Sequence, residues 1–265
     1  MLAGPPDQPV TTPEAVRRLI GARDSAVVWR NGEGGLTFRV EDSSGGFHLK
    51  WSPQTSSTNL LVESEKLAWA VNFTPVPRVL DAGEDADGTW LMTRTIGADN
   101  AVATRWQRDP RRATAALGRG LRSMHEALPV APCPFSWSAL QRRDAVRANY
   151  EAAAELVTHE WSQFADEHTR SSTLGDLAVV PLEDEVVCHG DACAPNTLLA
   201  TDGSWVAHVD LGSLGVADRW ADLAVMSWSA DWNYGPGWES NIYDAYGIDP
   251  DIEKIRYYRL LWEFG

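Results

Sequence analysis

A short apolar run, Glu185-Val186-Val187-Cys188, leads into His189-Gly190-Asp191-Ala192-Cys193-Ala194-Pro195-Asn196, and a second apolar run ends at Asp210-Leu211-Gly212. No other pattern constrains the chain as much. The first run is bounded by turn formers and reads as a short buried strand, with Gly190 easing the tight backbone that follows. Asn196-Thr197-Leu198-Leu199 resumes an apolar pattern, Thr201-Asp202-Gly203-Ser204 reads as a hairpin turn, and Trp205 to Val209 reads as the returning strand with Asp210 at its end. An Asp, an Asn five residues later and a second Asp before Gly suit phosphoryl transfer. That chemistry needs one carboxylate to orient the attacking hydroxyl and hard oxygen ligands to hold Mg²⁺ against nucleotide phosphates. Asp191 fits the first role, and Asn196 and Asp210 fit the second. Two tightly joined strands are expected to bring Asn196 and Asp210 to one metal.

From Val187 to Leu223 the sequence CHGDACAPNTLL, then HVDLGSLGVADRWADLA, resembles the aminoglycoside O-phosphotransferases, especially the 3′-phosphotransferases. The ending from Ile248 to Phe264 is similar to that family's C-terminal helix. Leu121-Arg122-Ser123-Met124-His125 and Cys133-Pro134-Phe135 also fall where family members carry alike segments. The resemblance covers nearly the whole chain after about residue 27. It implies an α+β, two-lobed protein-kinase-like fold, with a small β-rich lobe over residues 1–95 and a larger helical lobe over 96–265. It also implies ATP and Mg²⁺ as cofactors and a cationic antibiotic as acceptor.

The order of patterns agrees with such a fold, being β-rich first and α-rich afterwards. Thr12-Pro13-Glu14 opens a helix, with Thr12 as the expected cap and Pro13 in the first turn. Residues 26 to 51 alternate between glycine-bearing turns and read as three antiparallel strands. The turn Asn31-Gly32-Glu33-Gly34-Gly35 has backbone N–H groups suited to phosphates, although many hairpins share its composition. Lys50 stands at the end of the third strand, and a helix from Leu60 to Val71 offers Glu63 or Glu65 as its ion-pair partner. The resemblance selects Glu63. Val76 to Leu80 and Thr89 to Thr93 read as two further strands. The resemblance makes Thr93 to Thr95 the segment whose backbone bonds adenine, and it places His48 where relatives stack an aromatic ring. A strand histidine with no ligand explains His48 equally well. From Arg111 the chain turns helical, over Ala113 to Leu128 and Ala139 to Trp161, with a polar segment from Asp166 to Leu182.

Composition excludes several classes. The chain is 44% hydrophobic and has no apolar run long enough to predict a transmembrane helix. The Pro-rich start through Pro13 reads as a loose tail, not a signal peptide, so a cytoplasmic protein is expected. Its formal charge of −14 argues against a basic nucleic-acid interface and is compatible with cation attraction or plain solubility. Cys133, Cys188 and Cys193 make no disulfide framework, and no second ligand pair completes a zinc pattern, so they read as buried thiols.

The acceptor end departs from the family's pattern. Relatives usually end the C-terminal helix with two acidic residues, where this chain has Trp262-Glu263. Many carry Arg after the metal-binding Asp-Leu-Gly, where Ser213 stands here. Their next helix usually offers acidic residues, and this one runs Trp228-Ser229-Ala230-Asp231-Trp232-Asn233-Tyr234. By resemblance Glu263, the terminal carboxylate of Gly265, Asp231, Trp232 and Trp262 form the acceptor surface. Aromatic faces stack on sugar rings and on planar guanidino or ammonium groups. Streptomycin or a tuberactinomycin-type cyclic peptide is therefore the main rival to a kanamycin-type acceptor. A metabolic kinase of a sugar, choline or homoserine is a further alternative on the same fold. A non-catalytic nucleotide-binding protein is disfavoured by the intact Lys50, Asp191, Asn196 and Asp210.

Overall fold

The computed structural model describes residues 4, 6, 9–152 and 170–264. Two compact units result: the chain up to Gly97 together with His208–Gly212, and Ala98–Ala207 together with Ser213–Gly265. The expected continuation of a helix to Trp161, residues 166–169 of the expected polar segment, and Gly265 lie outside the described residues.

The first unit begins with α1 (Glu14–Ile20). Pro13 occupies its N-cap position and no side chain caps it, so the expected Thr12 cap is not formed and the helix starts at Glu14. Pro13 takes an extended conformation, which its ring favours and which leaves the first helical N–H groups to solvent. Strands β1 (Ser25–Arg30), β2 (Leu36–Val40), β3 (Phe47–Pro53), β4 (Val79–Glu84) and β5 (Gly88–Arg94) make an antiparallel sheet in the order β1-β2-β3-β5-β4. The fourth strand starts at Val79 rather than Val76, because Val76-Pro77 sits before a proline-restricted turn and makes no ladder. Lys50 lies in the middle of β3, paired with Leu91 and Thr37, rather than at its end. Phe38, Val40, Phe47 and Leu49 are buried at alternating positions and pack with Val16 and Ile20 of α1. Helix α2 (Leu60–Ala70) starts where the Asn59 side chain accepts the Leu61 N–H at 2.9 Å.

The second unit opens with β6 (Asp99–Asn100) and continues through helices α3 (Thr104–Gln107), α4 (Pro110–Ala127), α5 (Ala139–Ala152) and α6 (Arg170–Asp176). It then runs β7 (Glu185–Cys188), β8 (Thr197–Leu199), β9 (Trp205–His208) and β10 (Gly215–Asp218), followed by α7 (Trp220–Tyr234), α8 (Glu239–Tyr246) and α9 (Ile252–Phe264). β7 pairs antiparallel with β10, and β8 lies between β6 and β9. α4 buries Ala113, Ala116, Leu117, Leu121 and Met124 at helical spacing, the stripe expected of an amphipathic helix. α7 is buried along nearly its whole length, from Trp220 to Ala230, and so carries the centre of this core. No helix among the described residues is long and apolar enough to cross a membrane.

One contact sets how α4 and α8 meet. A Cβ built on Gly118 would collide with the backbone carbonyl of Ile242 and stand 3.0 Å from the backbone N of Tyr246. Backbone cannot swing away as a side chain does. Gly118→Ala is therefore expected to lower stability by about 1–3 kcal/mol through overpacking, more than the ~1 kcal/mol that alanine gains in helix propensity. Urea unfolding of the two proteins measures the sign; an equally stable or more stable variant contradicts the close approach.

Candidate active site

In the first unit, Lys50 is the centre. Its Nζ donates to both carboxylate oxygens of Glu63, at 2.7 and 2.9 Å, and to Oδ1 of Asp210 at 2.8 Å. Glu63 is 3% exposed, so its charge is held out of water and needs this partner. Burial works against the Lys50 ammonium, but the charges of Asp210 and Glu63 outweigh it and raise the lysine's pKa. Lys66, three residues after Glu63 on the same helix, donates to the Gly212 carbonyl at 2.7 Å, so α2 ties down both ends of the Asp210-Leu211-Gly212 turn. Asp210 has φ +66°, the left-handed region that non-glycine residues rarely enter. A short polar side chain tolerates that region best, and strain of this kind gathers at functional positions.

The predicted nucleotide residues lie on the same sheet. His48 pairs with Thr93 across β3 and β5, and His48 Nδ1 is 3.2 Å from Thr95 Oγ1. Burial, followed by the charges of Arg39 and Lys50, lowers the His48 pKa. The Thr95 N–H donates to the Gly46 carbonyl at 3.3 Å. In the glycine-bearing turn between β1 and β2, the Asn31 side chain accepts the N–H groups of Glu33 and Gly35. Glu33 in turn accepts from Ser57 N at 2.9 Å and from Ser57 Oγ at 2.8 Å. The turn is thus fastened to the loop before α2.

In the second unit, β7 delivers His189-Gly190-Asp191 into the turn that was expected there. Gly190 has φ +84°, and a Cβ there would collide with the Ser213 carbonyl, so only glycine fits. Asp191 is half-buried and its carboxylate is held from two sides. Asn196 Nδ2 donates to Oδ2 at 3.1 Å and to the Asp191 carbonyl at 2.9 Å, and the Cys193 thiol donates to Oδ1 at 3.1 Å. The Asn196 amide oxygen and the exposed Asp210 carboxylate are each hard donors of the kind Mg²⁺ takes.

One residue to which the sequence reading gave no role organises this loop. Asp222 on α7 is fully buried, and its carboxylate accepts the N–H of His189 at 2.6 Å, the N–H of Gly190 at 2.8 Å and Nε2 of His125 at 2.9 Å. Burial opposes its ionisation, yet the His125 hydrogen bond, with the charge of His125 and the other donors, keeps its pKa below the usual carboxylate value. Cys188 lies near enough to form a His125–Cys188–Asp222 cluster. Burial raises the Cys188 thiol, and the imidazole and carboxylate already bond each other, so the cluster reads as packed structure.

The residues predicted at the acceptor end are drawn together only in part. Trp228, Trp232 and Trp262 form a triad with ring centroids 4.8, 5.9 and 5.8 Å apart. Trp228 is buried, whereas Trp232 is 39% exposed. Arg259, with its guanidinium 5.9 Å from the Trp228 ring, donates to Glu239 at 2.9 Å and to Ser227 Oγ at 2.9 Å. Asp231 lies beside Glu239. Its pKa is pushed up to about 6, by burial first and then by the charge and hydrogen bond of Glu239. Glu263 is buried in α9.

A sequence model of the phosphotransferase enzyme family matches residues 27–258. An aminoglycoside 3′-phosphotransferase of Streptomyces fradiae is 35% identical, over 80% of this chain and 82% of that protein. A streptomycin 3″-kinase of Streptomyces griseus is 33% identical, over 96% of this chain and 95% of that one. The crystal structure of an aminoglycoside-3′-phosphotransferase of type VIII superposes with a TM-score of 0.82 at 29% identity, covering 95% of this chain and 97% of that chain. The chain belongs to the phosphotransferase enzyme family, and its fold is the two-lobed α+β fold of the aminoglycoside phosphotransferases.

Removing the Asp222 carboxylate leaves three buried donors with no acceptor. Asp222→Ala is expected to cost roughly 3–5 kcal/mol in urea unfolding. In the wild type this contribution is complete above the ordinary aspartate range and is lost as pH falls through the lowered folded value. A variant as stable as wild type at neutral pH contradicts the assignment.

Proposed function

We propose that the chain is an ATP-dependent, Mg²⁺-assisted kinase that phosphorylates a hydroxyl of a cationic antibiotic, most simply an aminoglycoside, and so confers resistance. The observation that carries this reading is the Asp191 carboxylate, clamped by Asn196 and Cys193 in a loop that only glycine at 190 permits. Asp191 orients the acceptor hydroxyl and takes its proton as the oxygen–phosphorus bond forms and the bond to the leaving nucleoside diphosphate breaks. Lys50, braced by Glu63, holds the nucleotide phosphates. His48, Thr93 and Thr95 face the base. Asn196 and Asp210 would offer oxygen ligands to Mg²⁺, which would supply charge neutralisation at the phosphates. Lys50 and its carboxylates make the reading catalytic rather than merely nucleotide-binding.

A second reading within this class has its own support. The tryptophan triad, with exposed Trp232 next to Asp231, offers a flat face and one proton-sharing acid group where relatives usually present several carboxylates. Such a surface suits a guanidino-bearing acceptor, of the streptomycin or tuberactinomycin kind, better than a multiply aminated sugar.

Purified protein with Mg-ATP and a panel of kanamycin-type aminoglycosides, streptomycin, a tuberactinomycin peptide, choline, homoserine and sugars tests both readings. Phosphorylated product is read by mass. Transfer to an antibiotic supports the proposal, and transfer confined to choline, homoserine or a sugar overturns it in favour of a metabolic kinase. Asp191→Asn is expected to reduce turnover by about 10²–10⁴-fold while nucleotide affinity persists. Near-full turnover would remove Asp191 from its role.

Asp231 also sets a pH dependence. It is protonated well below its raised value and ionised above it, so a cationic acceptor finds its charge partner only as pH rises. The acceptor's KM is expected to fall by several-fold between about pH 5 and about pH 7 while that of ATP stays level. Asp231→Asn flattens the trend. Glu239 and Arg259 face the same carboxyl and shape the slope. A wild-type KM that is flat across this range removes Asp231 from the acceptor surface.

A further inference from the structure

Asp222 does not act alone. Its partner His125 has its second ring nitrogen, Nδ1, 2.9 Å from the Tyr246 hydroxyl, and Arg219 Nη1 donates to that hydroxyl at 3.3 Å. Arg219 carries only donors and is ion-paired through Nε to Asp184 at 2.8 Å, so the Tyr246 oxygen accepts from it. The same hydroxyl shares a hydrogen bond with His125 Nδ1. A carboxylate only accepts, so His125 Nε2 carries the proton that faces Asp222. The chain of bonds runs Arg219, Tyr246, His125, Asp222, with the N–H groups of His189 and Gly190 meeting the same carboxylate. Burial, which pushes the Tyr246 hydroxyl up to about 12, keeps it protonated.

We propose that Tyr246 and His125 are positioning residues for the catalytic loop: the Tyr246 hydroxyl holds the His125 ring in the orientation that meets the Asp222 carboxylate, which in turn holds the backbone of His189 and Gly190. The packing agrees. His125 follows Gly118 by seven residues, two helical turns, and so lies on the same face of α4. Gly118 is where the absence of a Cβ lets α8 approach so closely that a Cβ built there would stand 3.0 Å from Tyr246 N. The rings of His125 and Tyr246 meet edge-on, with centroids 5.7 Å apart. The α4–α8 joint thus ends in a hydrogen-bond chain that reaches the turn carrying Asp191. A tyrosine on α8, remote in sequence from every motif of the site, takes part in setting where Asp191 stands.

Tyr246→Phe tests this, since it keeps the ring and removes only the hydroxyl. In the variant His125 loses the partner that orients its ring. The expected results are a changed ¹⁵N chemical-shift pattern for His125 and at least about 10-fold faster amide exchange at Gly190. Turnover is expected to fall by about 10-fold, as when an outer partner that orients a working histidine is lost. KM for both nucleotide and acceptor should stay near wild type. The kinetic part rests on the phosphotransferase reading; the chemical-shift and exchange measurements need no substrate and stand apart from it. A wild-type His125 pattern with wild-type Gly190 exchange overturns the proposal, whatever turnover does. Altered exchange and shifts with full turnover overturn the link to catalysis. Altered exchange and shifts in a protein that phosphorylates nothing in the panel support the positioning chain and count against the kinase reading alone.

Discussion

The buried carboxylate of Asp222 is the constraint on which the second unit's chemistry depends. An isolated anion with no solvent exposure would be prohibitively costly, so the surroundings must supply donors on every side. They do: two come from the backbone of the loop and one from an imidazole. The same satisfaction fixes the loop, because the N–H groups of His189 and Gly190 both donate to this one carboxylate. A buried polar network of this kind defines geometry more than it adds stability. Asp191 is one residue beyond the held backbone, so its carboxylate inherits that definition, and Asn196 and Cys193 refine it locally.

The first unit solves a similar problem with opposite charge. Lys50 sits mid-strand, flanked by sheet neighbours that cannot move, and Glu63 reaches it from the buried face of α2. Asp210 completes the group from a backbone conformation that costs energy to hold. Lys66 offsets that cost by capturing the Gly212 carbonyl. One helix therefore braces both the lysine and the turn bearing the aspartate. A shift of α2 would disturb the two together.

Much of this was legible in the sequence, and the parts that were not share a physical reason. The strand pattern over 26–51, the helix at Leu60 and the turn at Gly190 are local, each set by a few neighbouring residues. The Lys50–Glu63 pair was reached through resemblance, and its bond lengths support that pairing. The start of β4 was misread because a proline pair suppresses ladder formation despite an apolar pattern. The cap of α1 was misread because Thr12 and Pro13 both suit a helix start, and sequence alone does not rank them. Asp222 and His125 lay in segments that carried the resemblance but received no role, and Tyr246 carried no mark at all; their meaning arises where α4, α7 and α8 meet. The division at residue 95 likewise could not express that His208–Gly212 returns to the first unit.

In the proposed acceptor end, composition would redirect specificity without altering the reaction. Ammonium groups on an acceptor are strongly hydrated, and losing that water is repaid only by several carboxylates close at hand. Arg259 already engages Glu239, and burial beside Glu239 raises the Asp231 pKa to about 6. Under the proposed role their pull on a compact ammonium would be reduced. A guanidinium is planar and more weakly hydrated, so a tryptophan face recovers more of what desolvation costs it. Trp232 has the exposure to present such a face, and Trp228 and Trp262 pack against its ring. With charge replaced by an aromatic wall, the proposed site would favour acceptors whose positive charge is spread over a plane.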